Sequence, residues 1–165
     1  MNKQLRNLQS LYGLFETLNR ADFDGMDQYF DGERFRYRNV NRTDLDTYAE
    51  WKKSPMAHYD AFGCTQEILE ANADGNNVWA YMVQYGKHAG QAWMGIEPTG
   101  NDLRVEWMSI FTFSDEGRII QIRTVADVLN MMIQIGVVPP VMPTHHQDGD
   151  ARPVKAWAQA DQQPK

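Results

Sequence analysis

Two side chains in this sequence have the type and placement that proton-transfer chemistry needs. Asp127 stands where a β-branched run ends and a short apolar stretch begins, and His88 lies on the continuation of an earlier extended run. An aspartate leaving a strand into a helix has a structural use as well, because its carboxylate can accept hydrogen bonds from the helix's first free amides. To act as a general acid or base it must be buried in apolar surroundings that disfavour its charged form and bring its pKa toward the working pH. Trp107, Phe111, Tyr81, Trp79 and Trp93 are the candidate walls of such a pocket, and part of this set is expected to be plain core. His88 would serve as a hydrogen-bond donor or proton shuttle, although a lone strand histidine can equally be a satisfied structural residue. His58 and Asp60, just before the first long strand, could line the same mouth. The pair Asp127 and His88 suits proton transfer in general and is expected to face one cavity.

The elements that must position these groups are legible in the patterning. Residues 103 to 113 alternate, with Leu103, Val105, Trp107, Ser109, Phe111 and Phe113 on one face and Arg104, Glu106, Met108, Ile110 and Thr112 on the other. A turn at 114 to 117 ends in Gly117, so Arg118 to Ala126 is predicted to return as the antiparallel partner. Val128 to Ile135 reads as a short apolar helix stopped by Gly136 and then Pro139-Pro140. Toward the N-terminus, Leu5, Leu8, Leu11, Tyr12, Phe15 and Leu18 form one stripe of a helix over about residues 3 to 20. Met26, Tyr29 and Phe30 suggest a further helical turn, and 33 to 38 a short edge strand with outward arginines. Thr43 followed by Asp46 predicts a second helix, with Leu45, Tyr48, Ala49 and Trp51 as its stripe and Ser54-Pro55 as its end. Residues 62 to 71 and 78 to 84 read as strands joined by the Ala-Asp-Gly-Asn-Asn turn at 73 to 77, and the parity of the second places His88 with Val78, Ala80 and Met82. Helices followed by a meander of strands, without β-α-β repeats, give an α+β fold: a curled antiparallel sheet wrapped as a cone around its helices, with one end open.

The chain has 165 residues, enough for one domain with a substantial core, assigned to residues 1–143, with a polar tail over 144–165. Sixteen basic against 22 acidic residues leave a net charge of −6 with no basic cluster, which argues against nucleic-acid and anionic-membrane partners. The single cysteine, Cys64, has no internal disulfide partner and reads as a small buried residue. His145, His146, Asp148 and Asp150 in the tail lack the enforced geometry a specific metal site requires, so no metal is expected there. Residues 1 to 20 alternate apolar and polar side chains unlike a secretory signal, and no stretch is long and apolar enough to cross a bilayer, so a cytoplasmic protein is expected.

At residues 88 to 100 and 117 to 136 the sequence resembles the SnoaL-like polyketide cyclases of the nuclear transport factor 2-like (cystatin-like) superfamily. The carriers of the resemblance are His88, Gly90, Gly95-Ile96, Pro98-Thr99-Gly100, Gly117-Arg118-Ile119, Asp127 and Gln134-Ile135-Gly136. It departs from the family where a Glu and a Trp often precede the Asp on the last strand, since Gln121 and Arg123 stand in that region here. The resemblance implies a cone-shaped α+β domain and a homodimer. It also implies an intramolecular aldol cyclisation of a hydrophobic or polycyclic carbonyl substrate, with Asp127 as general acid/base and His88 beside the enolate. No metal or organic cofactor is implied, because the substrate delocalises the carbanion itself. Trp107, Phe111, Tyr81, Trp93, His58 and Asp60 would contact the substrate. Isomerisation, dehydration or epoxide hydrolysis on the same fold, and a non-catalytic binding or association domain, are the alternatives. For the dimer, Met108, Ile110, Ile120 and Ile122 are the expected outward set.

Overall fold

The computed structural model describes residues 2–40 and 44–139. Helix α1 (Lys3–Asn19) is capped by Asn2, whose side chain accepts from the Gln4 amide at 3.0 Å. Its apolar stripe buries Leu11, Leu14, Phe15 and Leu18 against the sheet, Leu8 packs at the margin, and Leu5 and Tyr12 stay largely exposed. A 3-10 turn (Gly25–Tyr29) buries Met26 and delivers Phe30 to the core. The short strand β1 (Arg36–Asn39) follows, at one edge of the sheet.

Helix α2 (Tyr48–Phe62) differs from the expectation at both ends. Its cap is Thr47, which accepts from the Glu50 amide at 3.2 Å and donates its hydroxyl to the Glu50 carboxylate at 2.9 Å; the expected cap, Thr43, lies outside the described residues. The helix does not stop at Ser54-Pro55 but runs on to Gly63, at φ +53°. A proline inside a helix removes one backbone bond and crowds the preceding turn. Packing on either side of Pro55 offsets that cost. Trp51 sits 5.0 Å from the Phe30 ring and 5.4 Å from Phe35, while Ala61 and Phe62 are fully buried.

Strands β2 (Thr65–Asp74), β3 (Asn77–Lys87), β4 (Asp102–Phe113) and β5 (Ile119–Ala126) complete an open five-stranded sheet of order β1-β5-β4-β3-β2. Helix α3 (Val128–Gln134) is the last helix among the described residues. The pairs β2–β3, β3–β4 and β4–β5 are antiparallel, but β1 runs parallel to β5, so the sheet is mixed rather than wholly antiparallel. The α+β class holds, with helices packed on one face of a sheet that does not close.

The β4 alternation stands as read: Leu103, Val105, Ser109, Phe111 and Phe113 are buried on the inner face, with Trp107 partly so, and Met108 is exposed on the outer one. On β5 the parity is shifted by an irregularity. Phe113 pairs with Ile119 but Thr112 pairs with Gln121, so Ile120 is an extra residue and Ile122 comes opposite Phe111. Cross-strand partners share a face, and Ile122 is therefore buried inside; its assignment to the outward, dimer-forming set is corrected.

A second apolar cluster forms where the end of α2, the loop 88–101 and α3 meet, and it contains Phe62, Trp93, Leu103, Val105 and Met131. Cys64 belongs to it, with burial pushing its thiol pKa up. Gly90 is required in this region. Its amide donates to the Ala61 carbonyl at 3.0 Å, and a Cβ at this position would lie 1.9 Å from the Asp60 carbonyl oxygen.

Candidate active site

Between α1, α2 and the inner face of the sheet lies a cavity of about 720 Å³. That volume suits a drug-sized ligand, for which pockets of roughly 300–1,000 Å³ are typical. Its walls are mostly apolar: Phe15 and Leu18 from α1, Trp51 from α2, Trp93 from the 88–101 loop, and Trp107, Phe111 and Ile122 from the sheet. A separate groove of about 810 Å³ runs along the outer face, over Trp79, Tyr81, Met108, Ile110 and Val125. Asn39, Trp107, Ser109, Thr124 and Ala126 border both.

The spacing Trp51, Pro55, His58, Phe62 places one face of α2 toward the interior. His58 thereby reaches the cavity wall, with its ring edge-on to Trp93 at 5.5 Å and 5.7 Å from Phe62. The Gln84 side chain, buried on the inner face of β3, comes within 3.4 Å of His58 Nδ1. An amide offers a donor nitrogen and, turned by half a rotation, an acceptor oxygen. Gln84 can thus complement either tautomer of His58 at Nδ1. Deeper along the sheet, Ser109 and Thr124 pair across β4 and β5, and their buried hydroxyls are hydrogen-bonded at 2.8 Å. Glu50, the carboxylate among the described cavity-lining residues, is held by Thr47.

The residues singled out from the sequence divide between these places. Trp107, Phe111, Trp93 and His58 line the inner cavity. Tyr81 points the other way, into the outer groove, where its hydroxyl donates to the Glu106 carboxylate, and Trp79 is exposed beside it. Asp60 is exposed and absent from the cavity wall; its backbone carbonyl accepts from the Gln91 amide at 2.9 Å.

Asp127 and His88 do not share a cavity. Asp127 is exposed, borders the outer groove, and caps α3 by accepting from the Asn130 amide at 2.9 Å. Thr124 and Ala126 line the cavity, so strand alternation turns Val125 and Asp127 outward. The Asp127 side chain is exposed in the single chain. His88 is fully buried behind the cavity wall, tilted against Phe62 at 5.0 Å. Its Nδ1 accepts from the Thr99 amide at 3.4 Å and lies 3.3 Å from the Thr99 hydroxyl. With the His88 amide donating to the Asn101 carbonyl and the Gly100 amide to the His88 carbonyl, the residue clasps the two ends of the loop that carries Trp93.

Gln84, Ser109 and Thr124 line the cavity without belonging to any functional motif in the sequence. The signal was available for Gln84 and Ser109: each is a polar residue on an otherwise apolar strand face, which marks a buried polar group in need of a partner. Among the described residues no group of three or more His, Cys, Asp or Glu side chains could hold a metal ion, and no helix is long and apolar enough to cross a membrane.

Comparison with known proteins places this architecture. The structure superposes on AclR from Streptomyces galilaeus with a TM-score of 0.75 at 17% identity, covering 86% of this chain and 88% of that one. A protein from Jannaschia sp. CCS1 assigned to the SnoaL-like polyketide cyclases gives 0.74 at 20% identity, over 85% and 97%. An epoxide hydrolase of M. tuberculosis gives 0.65 at 17% identity, over 81% and 92%. At these identities the likeness concerns the fold, which is nuclear transport factor 2-like. No curated protein sequence matches the chain. The family model for SnoaL-like polyketide cyclases matches residues 9–135, from α1 through α3, and the chain therefore belongs to the SnoaL-like polyketide cyclase family.

Proposed function

We propose that the chain is an enzyme that moves protons on a hydrophobic carbonyl compound held in the inner cavity, closing a ring by intramolecular aldol addition without a metal or organic cofactor. The observation that carries this reading is the cavity itself, where a titratable imidazole, His58, stands with a buried amide partner, Gln84, among aromatic walls. In the proposed cycle His58 takes a proton from the carbon next to a carbonyl, and the enolate attacks a second carbonyl of the same molecule. The resulting alkoxide takes the proton back, so atoms and charge balance. The aromatic walls exclude water that would otherwise quench the enolate. Incubating the protein with a polycyclic or cyclic-ketone precursor and following ring closure by absorbance and mass tests it; ring closure no faster than in buffer would remove the enzymatic reading and leave a binding domain.

A second reading keeps the base at Asp127, as the family resemblance implies. One observation favours it: Ala126 and Val128, on either side of Asp127, both line the inner cavity, so the backbone at Asp127 passes its edge although the side chain borders the outer groove. His88 in that reading acts from behind the wall, through the loop it clasps. Isomerisation or dehydration at the same carbonyl would use the same groups. Epoxide hydrolysis has less support, because it needs further polar groups to position water and Glu50 is already engaged with Thr47.

The outer sheet face supports a homodimer. Trp79, Tyr85, Met108 and Val125 are exposed there at 49%, 41%, 53% and 59%, and large exposed apolar side chains gathered on one sheet face favour an interaction surface. Sedimentation at micromolar concentration is expected to show a dimer, and Met108→Glu is expected to yield monomer. A wild-type protein that sediments only as monomer would contradict the assignment.

A further inference from the structure

The Ser109 and Thr124 hydroxyls carry two protons between them, and the 2.8 Å bond that joins them uses one. Neither side chain has another hydrogen-bond partner among the described residues, so the second proton has no acceptor among them. Both residues are nearly fully buried, at 4% and 9% exposure, and both line the inner cavity. A hydroxyl that accepts one hydrogen bond while donating another is a stronger donor than an isolated one, because the bonds polarise one another. The pair is also set apart from the other polar pole of the cavity. Gln84, which faces His58, pairs across the sheet with Val105, and Ser109 is four residues further along the same strand. Four residues of strand span about 13 Å.

We propose that the Ser109–Thr124 hydroxyl pair is a specificity-determining subsite, which donates a hydrogen bond to a carbonyl oxygen at the far end of an elongated substrate whose reacting end lies at His58. This rests on the inner cavity being the substrate site. It selects extended molecules with oxygen functions at both ends over single-ring ketones, which would satisfy one pole and leave the other unpaired. A ligand lacking the distal oxygen would bury this proton away from water with nothing to accept it, and that desolvation disfavours it.

Acedan, an elongated naphthalene ketone dye, and the same dye without its acetyl group provide the test. The ketone is expected to bind the wild-type protein more tightly than the dye without the acetyl group. In the double variant Ser109→Ala, Thr124→Val its affinity is expected to fall roughly five- to tenfold, the scale of one neutral hydrogen bond, while the affinity of the acetyl-free dye stays unchanged. Each single variant is expected to lose less, since either hydroxyl alone can donate. Equal effects on both dyes, or no effect on the ketone, would overturn the proposal while leaving the cavity reading intact. If the wild-type protein binds neither dye, the cavity reading itself fails. A second measurement does not depend on the double variant folding. Hydrogen bonding to its carbonyl moves the emission of the ketone to longer wavelength, so in His58→Phe, Gln84→Met, which lacks both donors of the other pole, the bound ketone is expected to emit to the red of its value in hydrocarbon solvent. Hydrocarbon-like emission there would also overturn the proposal.

Discussion

His58→Ala is expected to lower turnover of a ring-closing carbonyl precursor by about a hundred to ten thousand-fold, the range a positioned general acid/base contributes, with little change in affinity for the precursor. The walls that bind the apolar body of the substrate, Trp107, Phe111 and Trp93, are untouched by the substitution. His58→Gln should lose turnover to a similar degree, since glutamine restores polarity but does not titrate. Asp127→Asn supplies the contrast. Asparagine is as good a helix cap as aspartate, so α3 should keep its start and the protein its stability. With the base at His58, turnover of Asp127→Asn should equal that of wild type. A folded Asp127→Asn protein that has lost turnover, beside a His58→Ala protein that has kept it, would transfer the role to Asp127.

The largest effect on stability is expected at Phe35. This ring is fully buried and lies 5.5 Å from Phe30, 5.8 Å from Tyr48 and 5.4 Å from Trp51. Removing a buried phenylalanine costs about 3–5 kcal/mol through lost transfer free energy and the cavity left behind. Phe35→Ala should therefore shift the denaturant midpoint far more than Leu5→Ala, whose side chain is half exposed on α1. The substitution also bears on function. Tyr48 and Trp51 seat the first turns of α2 on this aromatic cluster, and the same helix carries His58 to the cavity. Loss of turnover in Phe35→Ala under conditions where most molecules remain folded would show that seating matters beyond stability. A shift no larger than that of Leu5→Ala would refute the packing account.

The parts of the molecule governed by local periodicity were legible in the sequence. Helix α1 follows from its stripe, and the inner face of β4 from strict alternation between Leu103 and Phe113. The pairing of β1 with β5 was not, because a parallel contact between residues 36–39 and 121–124 leaves no local trace in either segment. Pro55 misled because the rule that proline ends a helix is local, whereas Trp51 on one side and Phe62 on the other are held by tertiary packing. The site suffered from a single extra residue. Ile120 shifts the parity of β5, and without that shift the outward turn of Asp127 cannot be read from its distance to Phe113. His88 was placed on the correct face, but depth is not encoded in parity, and the loop it clasps folds between it and solvent. His58 is visible in the sequence only as a residue ahead of a strand, since a helix ended at Ser54-Pro55 stops short of it, whereas α2 runs on to Phe62.

Where the substrate sits decides between the two bases, and a crystal structure with a bound tricyclic aromatic ketone locates it. The ligand is predicted to lie between Trp93, Trp107 and Phe111, with one oxygen within hydrogen-bond distance of the His58 ring. A ligand found instead in the outer groove, over Trp79 and Met108 with an oxygen beside Asp127, would contradict the account.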